Sequence, residues 1–442
     1  MRDVLVKTEE FKDSPLGKIP KDWNVLALFQ IVKRIKRGPS LAVNTDGIGV
    51  RYLTSDNISE SGEIDWTIQK YLDIEPHFLG SLLSLGDVII NCVNSAAQIG
   101  KVSFIDCLPE LTTVGFNNFA ISLDKNFVVP RFAFYLLSHS IFQRQISATV
   151  KPAINQVSFS SEDLISLLLP LPPICEQKSI AEILDTVDEA IARTSSLITK
   201  LKQIKAGLLH DLLTRGLDED GQLRDAGAHP EQFKDSPLGR IPKEWEVVEL
   251  KNLCNRITDG SHQSVKTSDN GVPFLYVSCV RDGQILWEQA AKIPESTYLE
   301  ISKGREPIPG LILYTAVGSY GHAALVLENY KFSFQRHIAY ILPNAESILP
   351  EYLVAWLNSP ECRKYADQVA LGNAQKTVTL SALSGFPVLL LGFDEQRRIA
   401  EIFNSHDTRI RKEEAYLNKL KLQKQGLMHD LLTGKVRVND MK

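Results

Sequence analysis

The segment FKDSPLGKIPKDW spans Phe11–Trp23, and FKDSPLGRIPKEW spans Phe233–Trp245, 222 residues further on. Only two of the thirteen positions differ between the copies. Proline and glycine interrupt regular helices and strands, so the segment is typical of a fixed connector. We predict that Pro15, Gly17 and Pro20, with their counterparts in the second copy, shape a rigid turn. The closing tryptophan of each copy is expected to anchor in the core of the domain that follows.

Two further blocks recur in the same order. EQKSIAEIL at Glu176–Leu184 returns as EQRRIAEIF at Glu395–Phe403, and KLKQIKAGLLHDLLT at Lys200–Thr214 returns as KLKLQKQGLMHDLLT at Lys419–Thr433. Both repeats have an offset of 219 residues, close to that of the connector. Internal repetition of this kind decides the architecture of a chain before any other signal. The sequence therefore predicts two copies of one unit: connector, variable region and long helix.

The variable regions, residues 24–172 and 246–391, consist of short apolar and β-branched runs separated by Gly, Asn and Asp. Such runs indicate strands and turns. Short helical patterns, RFAFYLLSHSIFQRQI and EYLVAWLNSPECRKYA, stand near the end of each region. Each region is large enough for its own core. The expected fold class is α+β, with two globular α/β domains.

The two long helices share an apolar seam with alternating spacings of four and three residues. A period of 3.5 held over more than four heptads favours a coiled coil of the two helices over two amphipathic helices that each pack on their own domain. Polar residues interrupt the seam at Thr194, Lys205, His406, Glu413 and Lys424 and are expected to fix its register. The seam positions are 180, 184, 187, 191, 194, 198, 201, 205, 208 and 212, with 219 added for the second helix.

The tail after Thr433 and the arm before the first connector together have about the length of the linker after Thr214. We therefore expect tail and arm to replace that linker, in a circular arrangement with a pseudo-two-fold axis. Such an axis makes the coiled coil antiparallel, with the two α/β domains separated by it. The predicted segments are 1–23 arm and connector, 24–172 domain 1, 173–214 helix 1, 215–245 linker and connector, 246–391 domain 2, 392–433 helix 2, and 434–442 tail.

The composition argues against a single-domain protein, a membrane protein, and a zinc-binding or disulfide-rich protein. The 442-residue chain is too long for one ordinary core, has no run of eighteen apolar residues, and begins with a charged segment, as expected of a cytoplasmic protein. Its six cysteines lack C-x-x-C spacing, which indicates reduced thiols rather than a zinc or disulfide framework. The net charge of −4 gives no general sign of nucleic-acid binding.

Motifs for chemistry are missing from the sequence. Nucleotide-binding glycine loops, G-x-S-x-G and H-E-x-x-H do not occur. His210-Asp211 and His429-Asp430 lie outside the seam, without a second histidine cluster, so we interpret them as surface or partner-contact residues rather than metal ligands. We expect no cofactor, no metal and no catalytic residue in this chain.

Signals for nucleic-acid binding are local. Lys33, Arg34, Lys36 and Arg37 stand beside Gly38-Pro39, and four charges in one turn or loop could neutralise phosphates. A solvated surface run is the alternative. NRITDGSHQSVKTSDNG opens the second variable region, and KPAINQ (151–156) and NAQKT (373–377) occupy equivalent places. Their polar side chains suit base edges and phosphates, but they are equally common in loops.

Taken together, the pattern resembles the specificity (S) subunit of type I restriction–modification systems. The resemblance rests on the two connectors, LPPICEQKSIAEILD before the first helix, the HDLLTRG and HDLLTGK helix ends, and ITDGSHQSVKTSDNGVPFL at the start of the second domain. It covers essentially the whole chain. The first domain departs from it, because RIKRGPSLAV lacks the T-D-G-x-H element.

The resemblance implies a non-catalytic subunit of a complex that methylates adenine N6 and cleaves DNA with ATP. Two target-recognition domains would each read one half of a bipartite, asymmetric double-stranded DNA site, and the helices would fix the gap between the halves. Two methyltransferase (M) subunits would dock on the helices and bind S-adenosylmethionine. Restriction/translocase (R) subunits would bind ATP and Mg. Isolated, the chain is expected to bind DNA poorly.

The candidate DNA-binding residues follow from polar character beside glycine-rich turns and strand ends. We assign phosphate contacts to the basic run and base or groove contacts to ten further residues. The phosphate set is Lys33, Arg34, Lys36 and Arg37, and the base set is Asn94, Gln98, Asn117, Asn118, His262, Gln263, Ser319, Tyr320, Gln335 and Arg336.

Two other functions remain open at this point. A two-domain coiled-coil scaffold that binds proteins would share the architecture. A self-contained DNA methyltransferase or nuclease would need a cofactor or metal site, for which the sequence shows no motif.

Overall fold

The structure, a computed structural model, describes residues 5–73, 80–152, 156–281, 283–372 and 375–438. The chain divides into two compact units, which we call unit 1 (residues 1–194 and 416–442) and unit 2 (residues 195–415). Each unit combines one variable region with the first part of one long helix and the last part of the other. No helix in the described ranges is long and apolar enough to cross a membrane.

In unit 1, most of the short strands come first along the chain, and short helices and the start of the first long helix follow them. The strands are β1 (Leu5–Lys7), β2 (Phe11–Ser14), β3 (Gly17–Pro20), β4 (Asn24–Ala27), β5 (Val32–Lys36), β6 (Val50–Leu53), β7 (Tyr71–Leu72), β8 (Val88–Asn91), β9 (Val93–Asn94), β10 (Val102–Phe104), β11 (Thr112–Val114), β12 (Asn118–Leu123), β13 (Lys151–Pro152), β14 (Val157–Ser158) and β15 (Leu168–Leu171). The helices are α1 (Pro130–Ser138), α2 (Ser140–Thr149), α3 (Ser161–Ile165) and the start of α4 (Ile174–Thr214).

Unit 2 repeats this order. Its strands are β16 (Phe233–Ser236), β17 (Gly239–Pro242), β18 (Glu246–Glu249), β19 (Cys254–Asp259), β20 (Val272–Leu275), β21 (Val280–Arg281), β22 (Gln284–Ile285), β23 (Ala291–Ile293), β24 (Ile312–Thr315), β25 (Ala323–Leu325), β26 (Ser333–Phe334), β27 (Ile338–Pro343) and β28 (Pro387–Leu390). Its helices are α5 (Glu295–Ile301), α6 (Pro350–Leu357), α7 (Pro360–Val369), α8 (Leu380–Ser384) and the start of α9 (Phe393–Leu432). The end of α9 and β29 (Val436–Val438) belong to unit 1.

Corresponding four-stranded antiparallel sheets form the centre of both variable regions. Their strand orders are β10-β8-β12-β5 in unit 1 and β19-β27-β24-β25 in unit 2. A smaller sheet accompanies each one, with orders β11-β6-β7 and β23-β20-β26. The inner strands β8 and β24 are buried along their whole length, in keeping with their mainly apolar sequences VIIN and ILYT. The prediction of an α+β fold is confirmed.

Each of the helical patterns predicted near the end of the variable regions forms two helices. α1 ends before His139, whose ring accepts a hydrogen bond from Ile141 N and so caps α2. In unit 2, the hydroxyl of Ser359 accepts from Cys362 N and caps α7, which has proline at its first position. These local caps favour a break over one continuous helix.

The connectors are β-hairpins, β2–β3 and β16–β17. Gly17 and Gly239 adopt φ values of 94° and 98°, a region that side chains other than glycine avoid. The Ser14 hydroxyl donates to Gly17 O at 2.6 Å, and Ser236 repeats this bond to Gly239 O at 2.6 Å. The predicted turn is therefore present, but it is flanked by short strands that the sequence did not suggest.

A buried anchor follows the hairpin of unit 1. The indole of Trp23 is fully buried and its Nε1 donates to Glu176 Oε2 at 3.2 Å. Arg437 donates from Nε to Glu176 Oε1 at 2.6 Å and from its other nitrogens to Asp22 at 2.8 Å. The Arg437 hydrogen bonds hold the pKa of Asp22 below its usual value, and the two carboxylates raise the pKa of Arg437. We call Trp23, Glu176, Arg437 and Asp22 anchor 1.

The same anchor occurs in unit 2. Trp245 Nε1 donates to Glu395 Oε2 at 3.0 Å. Arg224 lies 2.6 Å from Glu395 Oε1 and 3.3 Å from Glu244 Oε2. These four residues, anchor 2, confirm that the closing tryptophan of each connector is a core anchor.

The arginines of the two anchors come from different parts of the chain. Arg224 lies in the linker after α4, whereas Arg437 lies on β29, which pairs antiparallel with β1. Arm and tail therefore meet in unit 1 and supply what the linker supplies in unit 2. This is the pairing that the closure prediction requires.

The long helices also match their prediction. α4 and α9 begin and end within two residues of the predicted repeats, and seam residues such as Ile180, Leu184, Ile399 and Phe403 are buried. Lysines at the polar seam positions form ion pairs between the helices. Within unit 1, Lys424 Nζ lies 2.6 Å from Asp188, and within unit 2, Lys205 Nζ lies 2.5 Å from Asp407.

The hydrophobic cores include the helix ends. In unit 1, the main core joins β8, β12 and α1 to Ile180 and Leu184 of α4 and to Leu431 and Leu432 of α9. In unit 2, the main core joins β24, β27 and α6 to Leu212 and Leu213 of α4 and to the start of α9. Each variable domain therefore packs against both helices, and this packing supports the sheet that carries its exposed loops.

Candidate nucleic-acid interface

Loops of unit 1 meet at one end of the four-stranded sheet. Because β12 runs antiparallel to β5 and β8, the ends of those strands lie beside its start. Cys92 N donates to Asn117 O at 2.8 Å, and Phe159 N donates to Cys92 O at 3.3 Å. We call residues 37–40, 92–99 and 115–117 tip 1.

Unit 2 forms an equivalent surface, tip 2, from residues 259–263, 316–322 and 335–337. Ala316 N donates to His337 O at 2.9 Å, and Val378 N donates to Ala316 O at 2.8 Å. Arg336 N also donates to Ser261 O at 2.8 Å, which joins the first loop to the third. Backbone hydrogen bonds thus hold the three loops side by side.

The two tips share two equivalent backbone hydrogen bonds, but their side chains differ. The hydrogen bonds pair Cys92 with Ala316 and Asn117 with His337 as equivalent positions. A Cβ atom at Gly38 would lie 1.7 Å from Val114 O, and one at Gly260 would lie 2.3 Å from Phe334 O, so both first loops need glycine. The residues before these glycines are Arg37 and Asp259. A shared backbone therefore presents opposite charges at one position.

The basic run of unit 1 is not the loop that the sequence predicted. Lys33, Arg34 and Lys36 lie on β5, a strand paired with β12. Lys36 is only 4% exposed and its Nζ lies 2.6 Å from Asp87 Oδ2. Its assignment as a phosphate contact is corrected, because a phosphate would have to displace this buried carboxylate. Lys33 is exposed and lies 3.2 Å from Asp124, and Arg34 is exposed.

Arg37 stands apart from the rest of the run. Its guanidinium lies over the Phe116 ring, 4.1 Å from the ring centre, and Nε donates to Phe116 O at 2.9 Å. Phe116 itself is 38% exposed. Phe116 was not among the predicted residues, because polar character was the criterion for candidate residues.

The base-contact candidates of unit 1 divide by burial. Asn117 is exposed, and Asn94 and Gln98 are half-buried. Gln98 Nε2 lies 3.4 Å from Glu60 Oε1. Asn118 is fully buried and accepts a hydrogen bond from Asn91 Nδ2 at 2.9 Å, so it supports the tip from below. Its assignment as a base contact is corrected for that reason.

In tip 2 the first and third loops bring most of the candidates together. His262 is exposed, and its Nε2 lies 2.6 Å from Asp259 Oδ2. Gln263 and Arg336 are exposed, and Gln335 is half-buried beside Ser261. Burial lowers the pKa of the neighbouring His337, and the charge of Arg336 and the nearby His262 lower it further.

In the middle loop of tip 2, the neighbouring residues Ser319 and Tyr320 differ in exposure. Ser319 is exposed. Tyr320 is buried, its hydroxyl donates to Asp367 Oδ1 at 2.5 Å, and this bond raises the pKa of the phenol. Arg363 donates to Tyr320 O and lies over its ring. Tyr320 is therefore corrected from a base contact to a support of the loop.

Sequence reasoning missed the cationic side chains behind this loop. Arg281 Nη1 lies 2.5 Å from His322 Nε2, and Arg363 Nη2 lies 3.4 Å from the same atom. They come from β21 and α7, far from tip 2 in sequence. No local pattern could have linked them.

Two predicted stretches lie partly outside the described residues: 153–155 of KPAINQ and 373–374 of NAQKT. Of the rest, Lys376 O accepts from Gly318 N at 2.9 Å, so the second stretch adjoins tip 2. In the described portions of the chain, no group of three or more His, Cys, Asp or Glu side chains is placed to hold a metal ion.

Comparison with protein families assigns the two halves to one domain type. Residues 20–203 and 242–422 both match the type I restriction modification DNA specificity domain. The chain belongs to this family. The two matches coincide with the two repeats, from the last residues of each connector into the long helix.

Specificity subunits are also similar over the full length. A Methanocaldococcus jannaschii protein provisionally named the MjaX specificity subunit of a type I restriction enzyme is 30% identical over 443 residues, with 98% of both chains covered. The MjaVIII specificity subunit of the same organism is 25% identical, again with 98% of both chains covered. The EcoBI specificity subunit of Escherichia coli is 30% identical over 261 residues, covering 56% of this chain and 54% of that protein.

A solved structure supports the same fold. The S subunit of a type I restriction–modification system from M. genitalium has a TM-score of 0.58 at 15% identity, with 99% of this chain and all of that chain covered. The two matches to one family domain account for the internal repeats, and the solved structure shares the fold.

Proposed function

We propose that this chain is the non-catalytic DNA-recognition subunit of a type I restriction–modification complex, in which each unit reads one half of a bipartite, asymmetric site. The observation that carries this proposal is the pair of tips. Two loop sets that share equivalent backbone hydrogen bonds at Cys92 and Ala316 present different side chains, Arg37 and Phe116 in tip 1 against Asp259 and Arg336 in tip 2. Related surfaces with different side chains are what two different half-sites require.

The helix pair is proposed as the spacer between the two readers. Within unit 2, Lys202 pairs with Glu414 and Lys205 pairs with Asp407, so the partner numbers fall as the helix α4 numbers rise. This order supports an antiparallel coiled coil, which a pseudo-two-fold circular arrangement also requires. Matched ion pairs at Lys205 and Lys424 would fix its register.

Methyltransferase and restriction/translocase subunits are the proposed partners. Two copies of the methyltransferase would dock on the repeated helix surfaces and supply S-adenosylmethionine and the adenine chemistry. The other subunits would bind ATP and Mg. A DNA-reading subunit acts where the DNA lies, and the cytoplasm is its proposed location.

Residue roles follow from exposure. Lys33 and Arg34 are proposed phosphate contacts in unit 1. Their charges are exposed on the strand that leads into tip 1. Proposed base or groove contacts are the exposed and half-buried candidates of both tips: Asn94, Gln98, Asn117, His262, Gln263, Ser319, Gln335 and Arg336.

Binding of the reconstituted complex to DNA tests the proposal against a protein-binding scaffold. The chain with its methyltransferase should bind one duplex sequence far more tightly than others, with an affinity that falls steeply with salt. The chain alone with S-adenosylmethionine should leave DNA unmodified. Sequence-independent binding, or methylation by the chain alone, would contradict the proposal.

A further inference from the structure

One side chain of tip 1 is held in place before any ligand arrives. The Arg37 guanidinium lies on the Phe116 ring and also lies 5.2 Å from the centre of the Phe119 ring. Its Nε is bound to Phe116 O. Within the described residues, Nη1 and Nη2 make no hydrogen bond or ion pair. The outer edge of the fork therefore faces away from the protein with its donors available.

The platform beneath Arg37 is itself fixed. The Tyr52 hydroxyl donates to Pro39 O at 2.8 Å and accepts from Phe116 N at 2.7 Å, so one phenol joins the first loop to the third. Gly38 allows the first loop to approach Val114 O, where a side chain would clash. Phe119 is buried and packs on Phe159. Burial raises the pKa of Tyr52, so its hydroxyl keeps its proton for the bond to Pro39 O.

This clamp is particular to unit 1. The position equivalent to Tyr52, at the same place in the parallel pair β6–β11 as in β20–β26, is Phe274 in unit 2. Phe274 has no hydroxyl, and Asp259 replaces Arg37. In tip 2 the arginine is on the third loop instead, at Arg336.

Holding an arginine in advance matters because ordering a long side chain costs free energy at binding. A guanidinium whose rotamer is already fixed loses less on contact. Two parallel N–H groups at a fixed spacing match the O6 and N7 acceptors of guanine in the major groove, the commonest specific arginine contact. A phosphate can also accept both N–H groups of the fork, but such a contact carries no sequence information, so the base-pair dependence of binding distinguishes the two contacts.

We propose that Arg37, stacked on Phe116 in loops that Tyr52 joins, is a preorganised guanine reader that decides one base pair of the half-site read by unit 1. Phe116 and Tyr52 act as positioning residues for it. This inference rests on the proposed function and replaces the phosphate role that the sequence indicated for Arg37.

The test uses the complex of the full chain with its methyltransferase subunits. The cognate site is first read from the methylome. Competition binding is then measured against duplexes with every single base-pair change in both half-sites. Arg37→Ala should lower cognate affinity about 10- to 100-fold and abolish discrimination at one G·C pair of one half-site. Arg37→Lys should lose the same discrimination, because it keeps the charge but not the fork.

Variants of the platform separate positioning from folding. Phe116→Ala should weaken discrimination at the same base pair by a smaller factor, about 3- to 10-fold, and Phe116→Tyr should restore it. The matched control is Arg34→Ala, which removes an exposed arginine on β5, the strand that leads to Arg37. It should weaken binding to all duplexes alike.

Two results would overturn the inference while leaving the proposed function intact. One is a uniform loss of affinity in Arg37→Ala, which would make Arg37 a phosphate contact. The other is unchanged binding by Arg37→Ala. Failure of the proposed function is distinguishable, because the wild-type complex would then show no sequence preference at all.

Discussion

The two units keep the same supports and change what they present. Anchor 1 and anchor 2 each join four residues by the same three kinds of contact, tryptophan to glutamate and arginine to two carboxylates, although their arginines come from β29 and from the linker. The tips share several backbone hydrogen bonds, yet tip 1 carries a stacked Arg37 where tip 2 carries Asp259 bound to His262. Sequence identity is therefore concentrated where both units need the same geometry, and divergence is concentrated where two different DNA sequences would be read.

A second difference concerns the contact between each variable domain and the helices. In unit 1, the Tyr135 hydroxyl lies 2.6 Å from Asp185 and 2.8 Å from Asp188, which pairs with Lys424. Arg131 also lies 2.5 Å from Asp185. The equivalent positions on α6 are Glu351 and Ala355, which cannot repeat this network. The ion pair between the helices is thus tied to the domain in unit 1 only.

The largest expected effect comes from removing an anchor. Trp245→Ala should destabilise unit 2 by about 3–5 kcal/mol, because it removes a buried ring and the indole donor to Glu395 Oε2. Trp23→Ala should do the same to unit 1. Hydrogen exchange of the full chain, followed by mass spectrometry, measures protection in each unit. Equal loss of protection in both units from one substitution would show that the anchors are not separate supports.

Arg336 sharpens the comparison on the DNA side. Arg336→Ala should relax specificity in one half-site only, at a cost of about 1–3 kcal/mol. Competition binding of the assembled complex measures this, with Lys33→Ala as a control that should weaken all sequences alike. Equal loss on all duplexes would make Arg336 a phosphate contact.

Acid should distinguish the units through His139. Burial, together with the facing His429 and the nearby Arg144, lowers the pKa of His139 to about 4. The unfolded chain, with an ordinary pKa of about 6.5, binds the proton more readily between these values. The stability that neutral His139 contributes is therefore complete above pH 6.5 and is lost as the pH falls toward 4.

The matched variant is His139→Ser, because Ser359 fills the equivalent capping position in unit 2. The substitution should reduce the slope of the unfolding free energy of unit 1 with pH by at most about 1.4 kcal/mol per pH unit. It should leave the slope of unit 2 unchanged. Denaturant unfolding is monitored by hydrogen exchange at several pH values between 4 and 7. This gives the slope of the unfolding free energy with pH for each unit. An unchanged slope in unit 1 would show that His139 does not control it.

The ion pairs between the helices should show the smallest effect. A double-mutant cycle of Asp188→Asn and Lys424→Met should give a coupling of about 1 kcal/mol, since both groups are three-quarters buried. The cycle of Asp407→Asn and Lys205→Met should give less, because no tyrosine shares that carboxylate. Equal couplings would show that the Tyr135 network adds nothing.

Repeats and periodicity predicted the architecture well, because they act over many residues. The repeated blocks predicted the ends of α4 and α9 to within two residues, and the connector predicted the burial of Trp23 and Trp245. Even the replacement of the linker by arm and tail followed from segment lengths. The equivalent anchors explain why these features repeat in the sequence, because their interactions allow few other residues at these positions.

Individual contact residues were harder to predict, because strand pairing decides which way a polar side chain points. Lys36 and Asn118 were polar and next to turns, but both lie inside, bound to Asp87 and Asn91. Phe116 was passed over as apolar, yet it is exposed under Arg37. These outcomes depend on neighbours that are distant in sequence.

The methylome of a host with and without this gene tests the central claim most directly. Two readers on equivalent supports predict a bipartite N6-methyladenine motif whose two halves differ in sequence and which disappears when the gene is deleted. A motif with identical halves, or methylation that persists after deletion, would contradict the account.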